Sequence, residues 1–336
     1  MNEADFNPEA LRAALNTDFS AAPITELTRI SGGQSNPTYF VTHGQRRMVL
    51  RKQPNGKILK GAHAIDREYR VMKALGQQGV PVPKMLHYHE DPSAIGTPFY
   101  LMERLDGRVF EDCSLPEIAA TERRAIYDAM AATMAQLHAV NPVDAGLGDF
   151  GKPGNYFERQ VARWSRQLRS SEVGGGPNLN RLADWLVENL PDDDGMIAVA
   201  HGDFRLGNLM FHPTESKVIA ILDWELSTLG HPLADLGFCG MTWHTAPDEY
   251  GGILGLNYAE LGIPDLATFE TQYHAHARPS PPLEDFHIIF SLFRFAVIFV
   301  GIADRARAGT AAGSNAEEVG PLAQAFAKRA IDLAGI

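Results

Sequence analysis

The sequence predicts an α+β chain: a β-rich amino-terminal third with one main helix, then a mostly helical remainder. Three observations carry this. Short runs of β-branched and aromatic residues separated by turn formers crowd the first hundred positions. Apolar residues at three- and four-residue spacing dominate after Asp106-Gly107. The 336 residues, 45% apolar and 21% charged, suffice for two compact units and lie far from the composition of a disordered chain.

The elements follow in order. Residues 27–30, 38–42 and 47–52 are expected as three strands of a meander, with Gly32, Gly33 and Gly44 at the turns. Ile65, Tyr69, Met72 and Leu75, with charges between them, predict a helix over 63–75. Two more strands are expected at 84–88 and 99–103, and the boundary then falls between an amino-terminal lobe, 1–105, and a carboxy-terminal lobe, 106–336. Beyond it, helices are expected at 115–140, 156–170, 180–189, 268–277, 285–303 and 321–334, with short strands at 198–201, 209–211 and 218–222.

Charge and cysteine content exclude several functions. Thirty Lys and Arg against 41 Asp and Glu give a net charge of −11 with no cationic run, so nucleic acid is not an expected partner. Cys113 and Cys239 are far apart and neither belongs to a CxxC pair, which excludes a cysteine zinc cluster and a disulfide framework. The first residues, Met1-Asn2-Glu3-Ala4-Asp5-Phe6, lack the basic and apolar regions of a secretory signal. The apolar run 286–303 carries Arg294 at its centre, where bilayer insertion costs roughly 2.5–3.5 kcal/mol, so a buried helix is expected. These features point to a cytoplasmic protein without a membrane partner.

The chemistry concentrates in His201-Gly202-Asp203-Phe204-Arg205-Leu206-Gly207-Asn208, followed by Ile221-Leu222-Asp223-Trp224-Glu225. Phosphoryl transfer needs a carboxylate to orient and deprotonate the attacking hydroxyl, and oxygen ligands for Mg²⁺ on the nucleotide phosphates. Asp203, Asn208 and Asp223 supply that set, on a loop between strands and at the end of the next hydrophobic strand.

These residues resemble the signature of the aminoglycoside phosphotransferase and choline kinase superfamily, HGDxxxxN followed by a strand ending in [IL]DW[ED]. The resemblance covers nearly the whole chain. It implies a protein-kinase-like fold, ATP and Mg²⁺ as cofactors, Asp203 as catalytic base, Asn208 and Asp223 as metal ligands, and His201 as a scaffold of the loop. It further implies that Gly32, Gly33, Gln34, Ser35 and Asn36 cover the phosphates, where small residues let backbone amides approach oxygens. The third strand should present a cation, and alternation allows only one of Arg51 and Lys52 to do so. The related small-molecule kinases favour Arg51, whereas the VAIK strand of protein kinases favours Lys52. Glu68 on the following helix is the expected partner of that cation, and Met102 and Glu103 fall where an edge strand and hinge would hold adenine.

Other features have simpler expectations. His138 and Asp235 are read as structural, and His274, His276 and His287 lack metal-ligand spacing. Gly202 replaces the Arg of HRD, Asp223-Trp224-Glu225 replaces DFG, and the next element follows Asp223 closely with no APE, leaving little room for a peptide-docking loop and pointing to a small-molecule hydroxyl acceptor. Residues 49–59 and 62–72 also resemble the kinase-like domain found beside acyl-CoA dehydrogenase domains, which implies a hydroxyacyl compound or its CoA thioester as acceptor. The alternatives are an aminoglycoside kinase and a silent nucleotide-binding module of the same fold.

Overall fold

The computed structural model describes residues 4–30, 36–56, 64–152, 154–307 and 320–336. Gly32, Gly33, Gln34 and Ser35 therefore lie outside the described residues, and Asn36 is the first of the expected phosphate loop inside them. The chain divides into two compact units, Met1–Gly107 with Ala220–Glu225, and Arg108–Ile219 with Leu226–Ile336. Placement of the Asp223 segment with the first unit has no signature in the linear sequence.

The first unit opens with α1 (Pro8–Asp18), a helix the strand-based expectation lacked. Its start is nonetheless conventional: Asn7 caps it by accepting from the Glu9 backbone N–H, and Pro8 occupies the first helical position. There follow β1 (Ile24–Arg29), β2 (Thr38–His43), β3 (Arg46–Lys52), α2 (Ile65–Gln77), β4 (Met85–His89) and β5 (Phe99–Glu103). The strands form one antiparallel sheet in the order β1-β2-β3-β5-β4. β5 is thus interior, with β1 and β4 at the edges, correcting the expectation of an edge strand at 99–103.

Period-two alternation sorts β3 between two layers. Met48 and Leu50 join Tyr39, Val41, Phe99 and Leu101 in a core that buries Leu11 and Leu15 of α1. Each such leucine is worth roughly 1.5–3 kcal/mol when fully buried. On α2, Ile65, Glu68, Val71, Met72 and Leu75 are buried at helical spacing, so an acid occupies one position of an otherwise apolar stripe.

The second unit contains α3 (Ala120–Ala139), α4 (Tyr156–Arg169), α5 (Gly176–Glu188), β6 (Ala198–Ala200), β7 (Leu209–Phe211), β8 (Val218–Ile221), β9 (Thr228–Gly230), α6 (Pro232–Gly240), α7 (Tyr258–Leu261), α8 (Leu266–His276), α9 (Asp285–Arg307) and α10 (Gly320–Ala334), the last two residues of β8 belonging to the first unit. β6 pairs antiparallel with β9, and the His212 N–H to Lys217 carbonyl bond closes the turn after β7. α3 starts at Ala120 rather than 115, because Leu115 adopts a φ of +52° that no α-helix accommodates. α6 starts with Pro232 and a His231 side chain that accepts from the Leu233 N–H, but Gly237 and Gly240 are poor helix formers, and all nine of its residues are buried. Gly237 is needed there: a Cβ would lie 2.6 Å from the His287 carbonyl oxygen of α9.

α9 is, among the described residues, the one helix long and apolar enough to cross a membrane, and 78% of its most apolar window is buried inside the protein. It packs against α4, α6 and α10. Arg294 at its centre is buried with its guanidinium over the rings of Trp164 and Phe238, at 5.7 and 5.9 Å from their centroids.

Candidate functional site

Two clusters of polar residues stand out, one in each unit. In the first, Arg51 Nε lies 2.8 Å from Glu68 Oε2. Glu68, almost fully buried, also accepts from the Tyr100 hydroxyl at 3.0 Å and from Asn36 Nδ2 at 2.9 Å. The other arm of Arg51 points to two more carboxylates, with Nη2 3.4 Å from Asp223 Oδ1 and 3.6 Å from Glu225 Oε2. Burial disfavours the charge of Arg51, but Tyr100 and the three carboxylates outweigh it and raise its pKa. Burial pushes the Glu68 carboxyl up, and Arg51 and the Tyr100 hydroxyl only partly offset this.

Lys52 takes the opposite face. Its side chain is wholly buried, with Nζ 2.9 Å from Asp5 Oδ2 and 3.1 Å from Asn55 Oδ1. Of the two candidate cations, the structure brings Arg51 to Glu68 and Asp223 and commits Lys52 to a structural ion pair. A buried ammonium without a free face cannot also grip phosphate, so Lys52 is removed from the nucleotide-contacting candidates. Met102 sits opposite Val49 and Met85 in the ladder, half-buried. Glu103 is tied to Lys84 through its backbone N–H and through Oε1, which accepts from the Lys84 N–H at 2.7 Å.

Asp223 has a φ of +60°, an uncommon value for a residue with a side chain. Behind it, Trp224 is buried and donates Nε1–H to the Ile221 carbonyl at 2.9 Å, which holds the turn. Asp223 and Glu225 thus bring two further carboxylates to the guanidinium that Glu68 holds. That donor set fits a divalent cation bound through Asp223.

The second cluster is built on the loop after β6. Gly202 has a φ of +82°, and a Cβ there would lie 2.8 Å from the Leu226 carbonyl oxygen. Its N–H donates to Asp235 Oδ1 at 2.8 Å, and the His201 N–H donates to Asp235 Oδ2 at 2.6 Å. His138 completes the network, with Nε2 3.2 Å from Asp235 Oδ2 and Nδ1 2.8 Å from the Tyr273 hydroxyl. An imidazole protonated on Nε2 satisfies both contacts. Burial works against the Asp235 charge, but His138, His201 and the Gly202 N–H outweigh it and hold its pKa low.

This frame presents Asp203. Its N–H donates to His201 Nδ1 at 3.2 Å, and Asn208 Nδ2 reaches its carbonyl at 2.9 Å and Oδ2 at 2.8 Å. The amide oxygen of Asn208 is thereby left for a ligand. Asp203 Oδ1 is buried and has no hydrogen-bond partner. Burial raises the Asp203 pKa, against the charges of Arg205 and His201 and the Asn208 amide. A desolvated carboxylate with one oxygen unsatisfied is suited to accept a proton.

The sequence expectation for His138 and Asp235 as structural residues did not include their joint grip on the backbone before Asp203. Arg205 was not among the candidates either. Its Nε lies 3.8 Å from Asp203 Oδ2.

Comparison with known proteins places this arrangement in context. A solved structure from Ralstonia eutropha, provisionally assigned to the aminoglycoside phosphotransferases, is 44% identical, covers 98% of both chains and superposes with a TM-score of 0.89. Mouse acyl-CoA dehydrogenase family member 10 is 42% identical over 96% of this chain, and human member 11 is 40% identical over 89%. The chain spans only 30% and 39% of the length of those two relatives. The aminoglycoside phosphotransferase APH(4)-Ia, solved with AMP-PNP and hygromycin B, shares 13% identity with a TM-score of 0.62 over 95% of this chain and has the same kinase-like fold. The model of the phosphotransferase enzyme family matches residues 26–270, and the chain belongs to that family.

Proposed function

We propose that the protein transfers the terminal phosphoryl group of ATP to a hydroxyl of a small molecule in the cytoplasm, with Asp203 as the base. The buried, unpartnered Oδ1 of Asp203 carries this proposal. Leaving such an atom unsatisfied costs roughly 1–3 kcal/mol, which a module that only binds nucleotide has no reason to bear. Asp203 orients the acceptor hydroxyl and takes its proton, while Asn208 fixes the carboxylate through Oδ2. Arg51, held by Glu68, positions the nucleotide phosphates, and Asn36 supports Glu68 from the other side. Asn208 and Asp223 are the residues that would hold Mg²⁺. When bound, it neutralises charge on the phosphate oxygens. The end of the interior strand at Met102 and Glu103 is the proposed place of the adenine.

Likeness to the acyl-CoA dehydrogenase family members supports a hydroxyacyl compound or its CoA thioester as acceptor. Likeness to the Ralstonia eutropha structure supports an aminoglycoside as the second reading. A panel of hydroxy acids, their CoA thioesters and aminoglycosides, incubated with Mg·ATP and read by mass spectrometry, separates them. Phosphate gain on the acyl compounds alone is the expected result, and gain on aminoglycosides alone would reverse the choice.

A further inference from the structure

Two residues beyond Asp203, Arg205 is placed with unusual care. Its Nε is buried without a hydrogen-bond partner, 3.8 Å from Asp203 Oδ2. Its guanidinium lies 5.8 Å from the ring centroid of Tyr250, whose own φ is +64°. The Tyr250 ring packs against Phe295, Phe299 and Phe326. Gly207 makes room for the guanidinium, since a Cβ there would lie 2.5 Å from Arg205 Nη1.

Among the described residues, Arg205 is the one cation lining a small recess whose walls include Cys113, Phe238, Met241, Tyr250 and Phe326. Glu111, at its rim, is shared with a wider open recess of about 640 Å³ lined in part by Pro116, Pro247, Leu256 and Leu261. Two carboxylates face the guanidinium. Asp203 makes no hydrogen bond to Nε, and Glu111, 3.5 Å from Nη1, is 74% exposed and therefore weakly held. A guanidinium has five N–H donors, and these contacts leave most of them for a ligand.

We propose that Arg205 is a specificity-determining residue that binds an oxyanion on the acceptor. The acceptor is then a hydroxylated molecule with an apolar body and an acidic group, not a polycation. This rests on Asp203 as the base, because only then does the recess adjoin the reacting hydroxyl. A carboxylate can take two parallel N–H bonds from a guanidinium, whereas its neutral ester forfeits the charge-assisted part of that contact.

The test compares straight-chain hydroxy acids, varied in hydroxyl position, with their methyl esters, under saturating Mg·ATP. The wild-type protein should favour the acid by about tenfold or more in kcat/KM. Arg205→Gln should bring the acid-to-ester ratio close to one, chiefly through the KM of the acid, and Arg205→Lys should restore part of it. Gly207→Ala keeps the charge but displaces the guanidinium, and should lower the ratio in the same direction. Thermal melting of each variant verifies folding. Equal use of acid and ester by the wild-type protein overturns the proposal while leaving phosphotransfer intact. So does an equal fall for both acceptors in Arg205→Gln, which would assign the guanidinium to the phosphoryl group. Absence of transfer to any acceptor, with no ATP hydrolysis, overturns the phosphotransferase assignment together with it.

Discussion

Asp235 Oδ2 accepts the backbone N–H of His201 at 2.6 Å, so a fully buried carboxylate from α6 fixes the loop two residues before Asp203. Two consecutive N–H groups, of His201 and Gly202, converge on the two oxygens of this one carboxylate. An amide in that place accepts through one oxygen only. Asp235→Asn should therefore cost roughly 1–3 kcal/mol of stability and lower kcat more than it raises the KM for ATP. Chemical denaturation alongside steady-state kinetics checks both. Because the Asp235 pKa is depressed, its stabilising contribution is complete above the ordinary carboxylate range and fades as pH falls through the lowered value. The difference between wild type and Asp235→Asn should shrink in acid.

Arg51 and Lys52, adjacent in sequence, should fail in different ways. Arg51→Ala removes the partner of buried Glu68 and should raise the KM for ATP and lower kcat. Glu68→Ala should give a milder defect of the same kind, and the double variant should show less than the sum. Lys52→Ala instead leaves Asp5 and Asn55 without their shared donor, and should lower the melting temperature with the KM for ATP near its wild-type value. A large KM effect from Lys52→Ala with none from Arg51→Ala would reverse the assignment of the cation.

Gly202→Ala should be the most damaging single methyl addition in the loop. The left-handed φ and the 2.8 Å approach to the Leu226 carbonyl act together, and neither can relax without moving the N–H that Asp235 holds. A melting temperature close to wild type, with normal turnover, would contradict this.

Asp203 couples function to stability with the opposite sign from Asp235. Burial raises its pKa, so the contribution it makes to stability is complete below the ordinary carboxylate range and is lost as pH rises through the raised value. Asp203→Asn, which cannot ionise, should melt higher than wild type at neutral pH and lose that advantage in acid. In wild type, the acidic limb of the kcat/KM profile should lie above the usual range of a free aspartate.

Much of this architecture is legible in the sequence because its signals are local. The helix over Ile65–Gln77, the strand over Arg46–Lys52 and the loop around Asp203 follow from period and turn chemistry within a few residues. α1 has a local start signal in Asn7 and Pro8 but lies ahead of the β-rich runs that mark the rest of its unit. The other departures are non-local. α6 carries two glycines that lower its propensity, and only packing against α9 makes them necessary. Asp223 falls in the first compact unit although it lies more than a hundred residues beyond that unit's main segment, and no local pattern encodes such a return. Arg205 looked like any loop cation, because neither the Gly207 berth nor the Tyr250 ring is visible before the chain folds.

Whether Asp203 is the base of an ATP-dependent phosphotransferase can be read from one paired measurement. Wild type and Asp203→Asn are titrated with Mg·ATP by calorimetry, and the same samples are then assayed for phosphate transfer to a hydroxylated acceptor. Nucleotide affinities should lie within a few-fold of each other, and kcat should fall by roughly 10²–10⁴-fold. Wild-type turnover by a folded Asp203→Asn protein would contradict this.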